Sequence, residues 1–298
     1  MSRERATTTP AIRHICPVRR LTHGPAHHFF GYYEKSPWDA DDRLVLCGEV
    51  DINDRMPAPP EDRMRIGTID TTDGDRLTLF GETGAWCFQQ GCMLQWLPPE
   101  HRDWVIYNDR EKDRFVSRLQ NVQTGEKRQL DAPVYQLDPR GRYALTLNFA
   151  RLAETRPGYG YDGIPDRHAE ERHPADDGVY VLDLESGRCQ LLLSLDTAAN
   201  MAPAESMRGA KHWFNHIQIN RDGSRFGVLH RWQPEGRKGH VTRLLVGDPF
   251  TGQVRIRHDE SFFSHYDWLG NDDVVGYARV PDAGGKDDRD FLVLPAES

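Results

Sequence analysis

The 298-residue sequence has little that would hold it in or carry it across a membrane. No apolar run approaches the ~18–20 residues that span a bilayer, and Met1–Pro10 is polar, without the apolar stretch of a secretory leader. The expectation is a cytoplasmic protein with no membrane partner. Basic residues are outnumbered: 38 Lys and Arg against 46 Asp and Glu give a formal charge of −8. That argues against a nucleic-acid partner, whose phosphates call for a basic face. Cysteine is sparse. Cys16, Cys47, Cys87, Cys92 and Cys189 are odd in number and scattered, with no CxxC pair, so neither a disulfide framework nor a cysteine metal knuckle is indicated. There is no GxSxG elbow, Walker loop, HExxH or dinucleotide fingerprint. The glycines at positions 158, 160 and 163 lack the strand-to-helix setting that phosphate binding needs. Helical periodicity is almost absent.

What the chain does carry is a succession of short runs of Val, Leu, Ile, Tyr and Phe separated by Asp, Asn, Gly and Pro. Turns lead into apolar runs at 43–47, 143–148, 225–230 and 273–278. Hairpin turns at Gly74, Gly125, Gly187 and Gly252 follow a strand in each unit and recur at intervals of 51, 62 and 65 residues. Glycine supplies the positive φ such turns require. Four strands per unit is the pattern of a β-propeller blade. The reading is an all-β, single-domain propeller over residues 1–298, with five blades counted and up to seven accommodated by short strands. The fifth unit, Phe262–Leu269 through Val274–Val280 to Phe291–Leu294, is one strand short, and Ile12–Leu21 is expected to close the ring there, which would remove exposed sheet edges. A β-sandwich is the rival. Two insertions, Arg151–Asp177 and Asp196–Lys211, break the period, the second with the composition of a short helix. Long loops of this kind often carry function.

Four stretches hold the candidate chemistry. The first is Ala26-His27-His28-Phe29-Phe30-Gly31-Tyr32-Tyr33-Glu34-Lys35-Ser36-Pro37-Trp38, a pocket wall with a proton-transfer His, since alternation lets only one of His27 and His28 face a site. In the second, around Gln90 and Asn108, amides beside aromatics suit hydroxyl recognition. The third joins Tyr135 to Asn148, Arg151, Arg156, Tyr159 and Tyr161, where a guanidinium can grip a carboxylate bidentately. The fourth runs from Lys211 to Ile219, then His230-Arg231-Trp232 and Ser264–Trp268. Alternation there groups His212, His216 and Gln218 on one face and His265 with Asp267 on another, a plausible metal set.

These stretches, HHFFGYYEKSPWD, QQGCMLQWLP, Tyr135–Arg151, RPGYGYDG, WFNHIQINRDGSRFGVLHRW and SHYDWLG, resemble the propeller-fold polysaccharide lyases, especially the ulvan lyase group and more distantly oligogalacturonate lyase. The resemblance touches roughly a third of the chain. It implies β-elimination at a uronic-acid glycoside, in which a carboxylate is neutralised, a base removes the C5 proton and an acid protonates the leaving oxygen. Those lyases place a Tyr and, sixteen residues on, an Arg in the site. By resemblance Tyr135 is then proton donor or base and Arg151 the carboxylate clamp. Gln90 and Asn108 stand where ulvan lyases carry a His pair. Either His27 or His28 fills that role, or Tyr135 works alone, or lyase activity is lost.

The resemblance also implies a divalent metal (zinc, manganese or calcium) on His216, His265 and Asp267, with His230 in reserve. Substrate contacts are expected from Gln90, Asn108, Arg110, Asn148, Arg156, Tyr159, Tyr161 and His230. Because the chain is acidic, an acidic oligosaccharide partner demands a local basic pocket, drawn from Arg110, Arg151, Arg156 and Arg231. The alternatives are a non-catalytic carbohydrate-binding or protein-interaction propeller, and a glycoside hydrolase using Glu34, Asp109 and Asp162.

Overall fold

The computed structural model describes residues 16–259, 262–280 and 289–295. Within them the chain folds into five antiparallel sheets taken up in sequence order. The first holds β1 (His27–Phe29), β2 (Leu44–Val50), β3 (Met64–Asp70) and β4 (Arg76–Thr83). The second holds β5 (Gln95–Trp96), β6 (Trp104–Glu111), β7 (Arg114–Asn121) and β8 (Lys127–Leu130). The third holds β9 (Gln136–Leu137), β10 (Tyr143–Leu147), β11 (Gly178–Asp183) and β12 (Cys189–Ser194). The fourth holds β13 (Lys211–Ile219), β14 (Phe226–Gln233), β15 (Val241–Gly247) and β16 (Val254–His258). The fifth has three strands among the described residues, β17 (Phe263–Leu269), β18 (Asp273–Arg279) and β19 (Arg289–Pro295). Each sheet is a simple up-and-down meander, as hairpin turns dictate. The glycines at 74, 125, 187 and 252 all sit at φ between 61° and 75°, a region other residues enter at a cost.

The period-2 alternation of each strand sends neighbouring residues to opposite faces, and in the second, third and fourth sheets both faces are buried against adjacent sheets. Val105 packs with Leu46, Ile66 and Trp96 between the first and second sheets, while Ile106 packs into the cluster joining the second, third and fourth. Val228 and Leu245 face the third sheet; Leu229 and Leu244 face Tyr266, Trp268 and Val274 of the fifth. One sheet-to-sheet layer therefore follows another in chain order, and β13, the first strand of the fourth sheet, touches the first strands of the third and fifth, β9 and β17.

Of the expected closing strand Ile12–Leu21, residues 12–15 lie outside the described residues, and 16–21 form no strand. Leu21 covers Val45, Cys47, Ile69 and Leu77 on the face of the first sheet turned away from the second. The first insertion opens with a helix, α1 (Phe149–Thr155), capped by Asn148, whose side-chain oxygen accepts from the Arg151 N–H at 3.0 Å. The second opens with α2 (Leu195–Asn200), capped by Ser194.

Candidate functional site

The aromatic motif after the His pair is only briefly a strand. Beyond β1 it becomes a loop carrying Tyr32, Glu34 and Lys35 inward and leaving Tyr33 exposed. Glycine makes the crossing possible: a Cβ on Gly31 would stand 2.8 Å from the Gln90 carbonyl oxygen, so only a bare backbone fits against the 87–91 turn. The loop thereby meets the inner strands of the third, fourth and fifth sheets.

At the centre lies His216, in a bulge of β13 where the register with β14 shifts between Asn215 and Gln218. Its φ of 50° is left-handed, a strained state for a non-glycine residue. Three neighbours hold it. Its N–H donates to Asn215 Oδ1 at 2.8 Å and to the Tyr135 hydroxyl at 3.2 Å, and its carbonyl accepts from the Tyr266 hydroxyl at 2.6 Å. The strain turns the imidazole onto the aromatic loop, with Nε2 at 3.2 Å from the Tyr32 hydroxyl and Nδ1 at 3.9 Å from Glu34 Oε2. A carboxylate facing Nδ1 assigns the proton to that nitrogen and leaves Nε2 to accept from Tyr32.

Glu34 also pairs with Lys35 at 3.0 Å, and Lys35 Nζ donates to Gln136 Oε1. Burial works to raise the Glu34 carboxyl, but Lys35 and His216 overcome it and hold the group below its ordinary range. Burial pushes His216 down to about 4 against the pull of Glu34, so the imidazole is neutral at pH 7. Burial, with help from Tyr159, raises Tyr32, which stays protonated. Glu34 Oε2 and His216 Nδ1 are buried and make no hydrogen bond.

Against this group stands Arg231 on β14. It is 4% exposed, yet it has no hydrogen bond and no ion pair among the described residues, and its Nε is a buried donor without an acceptor. Its neighbours are Arg156, Tyr159, Tyr32 and Tyr135; burial first, then the Arg156 charge, lowers it to about 10, still a cation at neutral pH. Arg156 is likewise unpaired, its guanidinium lying 5.2 Å over the Tyr159 ring and its Nε buried without a partner. An unpaired buried cation is costly, and a second, half-buried cation beside it adds to the cost. An anion placed between them would relieve both.

The other expected residues fall elsewhere. Arg151 does not clamp a ligand. At 1% exposure, its five N–H donors are all spent: on Asp166 and the His168 carbonyl at 3.0 Å each, on the His212 carbonyl at 2.7 Å, and on the carbonyls of Glu171 and Arg172 at 2.8 and 2.9 Å. It ties the 166–172 loop to β13. Tyr135 does face the centre, but its hydroxyl is filled by Gln90, Asn215 and the His216 N–H, which makes it a positioning residue. His27 is exposed beside Asn53, and His28 is bound to Glu49 at 2.8 Å, so neither meets Tyr135 or His216.

Asn108 holds the Val134 backbone at both ends and accompanies Tyr161, whose ring stacks on Phe149. Asn148 caps α1 and bonds Asp166 and Asp177. His230 lies between His212 and Arg243. Arg110 lies against Gly84 and Gly163 and does not join Arg156 and Arg231. Asp109 is held by Arg118 and the Gly84 and Arg110 N–H groups, and Asp162 is exposed, so neither joins Glu34 as the expected hydrolase pair.

The expected metal set does not converge either. Donor atoms of His216, His265 and Asp267 do not lie within 4.8 Å of one another; among the described residues that spacing is met by His168, Glu171 and Asp176. His168 has both nitrogens engaged, by Glu171 at 2.7 Å and by Arg167 at 2.8 Å. The His168, Glu171 and Asp176 cluster offers donors for a divalent ion, away from the residues expected to hold one, and no step below uses one.

Tyr32 and Lys35 lay in the aromatic stretch read as a pocket wall, without roles of their own, and Gln136 entered the site without being singled out from sequence.

No protein-family model and no curated protein matches the chain. Among solved structures, it is similar to the β-propeller domain of the Trilobed protease from Pyrococcus furiosus, with a TM-score of 0.50 and 11% identity over 91% of this chain and 71% of that one. The chain is a β-propeller. It is also similar to TolB from Acinetobacter baumannii (TM-score 0.47, 13% identity, 93% of this chain and 56% of that one). Oligogalacturonate lyase from Vibrio parahaemolyticus is a further similar structure (TM-score 0.42, 11% identity, 93% and 78%). The chain spans 56% of TolB and 22% of the tricorn protease, another similar structure. At these identities the likeness concerns the propeller fold; no ulvan lyase is among these structures.

Proposed function

We propose that this propeller binds an acidic oligosaccharide by a uronate carboxylate and cleaves it by β-elimination. The observation that carries the reading is Arg231, a buried cation without a partner among the described residues, set beside a second cation likewise unpaired, Arg156. A carboxylate offers planar oxygens that match guanidinium forks. Once it is neutralised there, its α-proton becomes more acidic, because negative charge can build on the acid as the proton leaves.

The remaining groups suit the rest of the step. Glu34, kept ionised by Lys35, presents an oxygen with no other partner and takes the C5 proton. Tyr32 holds a proton that it turns from His216 to the departing glycosidic oxygen. The C5–H and C4–O bonds break, a C4–C5 double bond forms, and the released sugar leaves as an alcohol. His216 orients Tyr32, and Tyr135 orients His216. Burial weakens the screening of these charges.

Mixing the full chain with a panel of oligo-uronides and following the ultraviolet absorbance of the new double bond tests the reading. Growth that disappears in Arg231→Met supports it. Arg231-dependent binding with no absorbance growth reduces the function to carbohydrate binding, and no binding at all removes both parts.

A further inference from the structure

We infer that the outer lip of this site is a second sugar position, shaped for a neutral, unsulfated pyranose next to the bound uronate; the inference rests on the uronate reading above. Tyr32 and Tyr33 are consecutive, and their side chains part. Tyr32 is buried on His216, whereas Tyr33 is 51% exposed. The Tyr33 ring lies 4.6 Å from that of Tyr32, 6.3 Å from that of His216 and 5.2 Å from that of His265, which is also exposed. The two open rings, tilted by 47°, form a shelf continuous with the buried centre. An aromatic face on the way out of a sugar site gives the apolar C–H face of a pyranose somewhere to rest, at little entropy cost because the ring has few torsions.

Charge decides which sugar. Asp267, two residues beyond His265 on β17, is exposed on the same side of the fold. It lies close enough to Tyr33 to act on its hydroxyl, alongside burial and Glu34. One carboxylate oxygen accepts the Trp268 N–H at 2.7 Å, and among the described residues no basic group pairs with it. A bare carboxylate beside the shelf accepts hydroxyl donors from a neutral sugar and repels a second uronate or a sulfate. The two halves of the site are thus of opposite preference. Arg231 and Arg156 select an acid, and the Tyr33–His265 shelf with Asp267 selects a neutral neighbour. The substrate class is a mixed oligosaccharide, not a homopolymer of uronate.

Calorimetric titration of the full chain with three probes tests this: a uronate methyl glycoside, a disaccharide of uronate and neutral hexose, and a diuronate. The mixed disaccharide is expected to bind about tenfold tighter than the monomer and about fivefold tighter than the diuronate at low salt, the scale of one partly screened like-charge contact. Asp267→Asn should close the gap between the disaccharides, and Tyr33→Ala should reduce the mixed disaccharide to the affinity of the monomer. Equal affinities for the two disaccharides, or a gap that survives Asp267→Asn, overturns the shelf while Arg231-dependent binding of the monomer leaves the uronate reading standing. A monomer that binds without regard to Arg231, or does not bind, overturns both.

Discussion

The Tyr32 hydroxyl lies 3.2 Å from Nε2 of His216, across 184 positions of sequence. One partner sits on a loop of the first sheet and the other in a strained bulge of the fourth. The bulge costs backbone energy that a regular strand would not. The Tyr135 and Tyr266 hydroxyls hold it in place.

Removing the Tyr32 hydroxyl should therefore separate chemistry from binding. Tyr32→Phe is expected to lower kcat by about 10²–10⁴, the usual range for one proton-transfer group, with KM little changed. Steady-state kinetics on an oligo-uronide checks this. An unchanged kcat would show that the proton comes from elsewhere.

Arg231 is buried without a partner, so a neutral side chain of similar length should suit its surroundings better. Arg231→Met is expected to leave the chemical-denaturation midpoint unchanged or higher, while uronate affinity falls about 10- to 100-fold, as for loss of one or two charge-assisted hydrogen bonds. A lower midpoint would mean that the guanidinium has a structural partner in solution.

Arg151 should behave in the opposite way. Arg151→Met strands the buried Asp166 carboxylate and frees four carbonyls, and the expected loss is about 3–5 kcal/mol of stability. Urea unfolding monitored by tryptophan fluorescence measures it. A midpoint close to that of the unaltered protein would remove the bracing role.

Stability should decline on acidification below about pH 6.5. His212 is lowered to about 3 and His216 to about 4, burial being the first cause in each. Between roughly pH 6.5 and 4 both are neutral in the fold and protonated in the unfolded chain. Unfolding then takes up protons, and each group costs up to about 1.4 kcal/mol per pH unit as the pH falls. The lowered carboxyl of Asp109 adds in the same direction, at more acid pH. Unfolding free energies at pH 7 and pH 5 test the sign, and equal or greater stability at pH 5 would contradict it.

Strand and turn positions were readable because their causes are local. Alternation marks a two-faced strand, and Gly74, Gly125, Gly187 and Gly252 mark hairpins because few other residues tolerate their φ. The aromatic loop after His28 was readable as a site wall, but not the division of labour within it.

Arg151 and Arg231 show where sequence reading stops. Both are arginines beside apolar strands, and nothing in either flank says which is spent and which is free. That depends on whether a loop folds back to offer carbonyls. For Arg151 the 166–172 segment does so; among the described residues no segment does so for Arg231. The sequence by itself determined the β-architecture, through short-range rules of periodicity and turn geometry. The tertiary structure alone decided which polar groups are satisfied and which are left waiting, because hydrogen-bond partners come from distant segments that only packing brings within 3 Å.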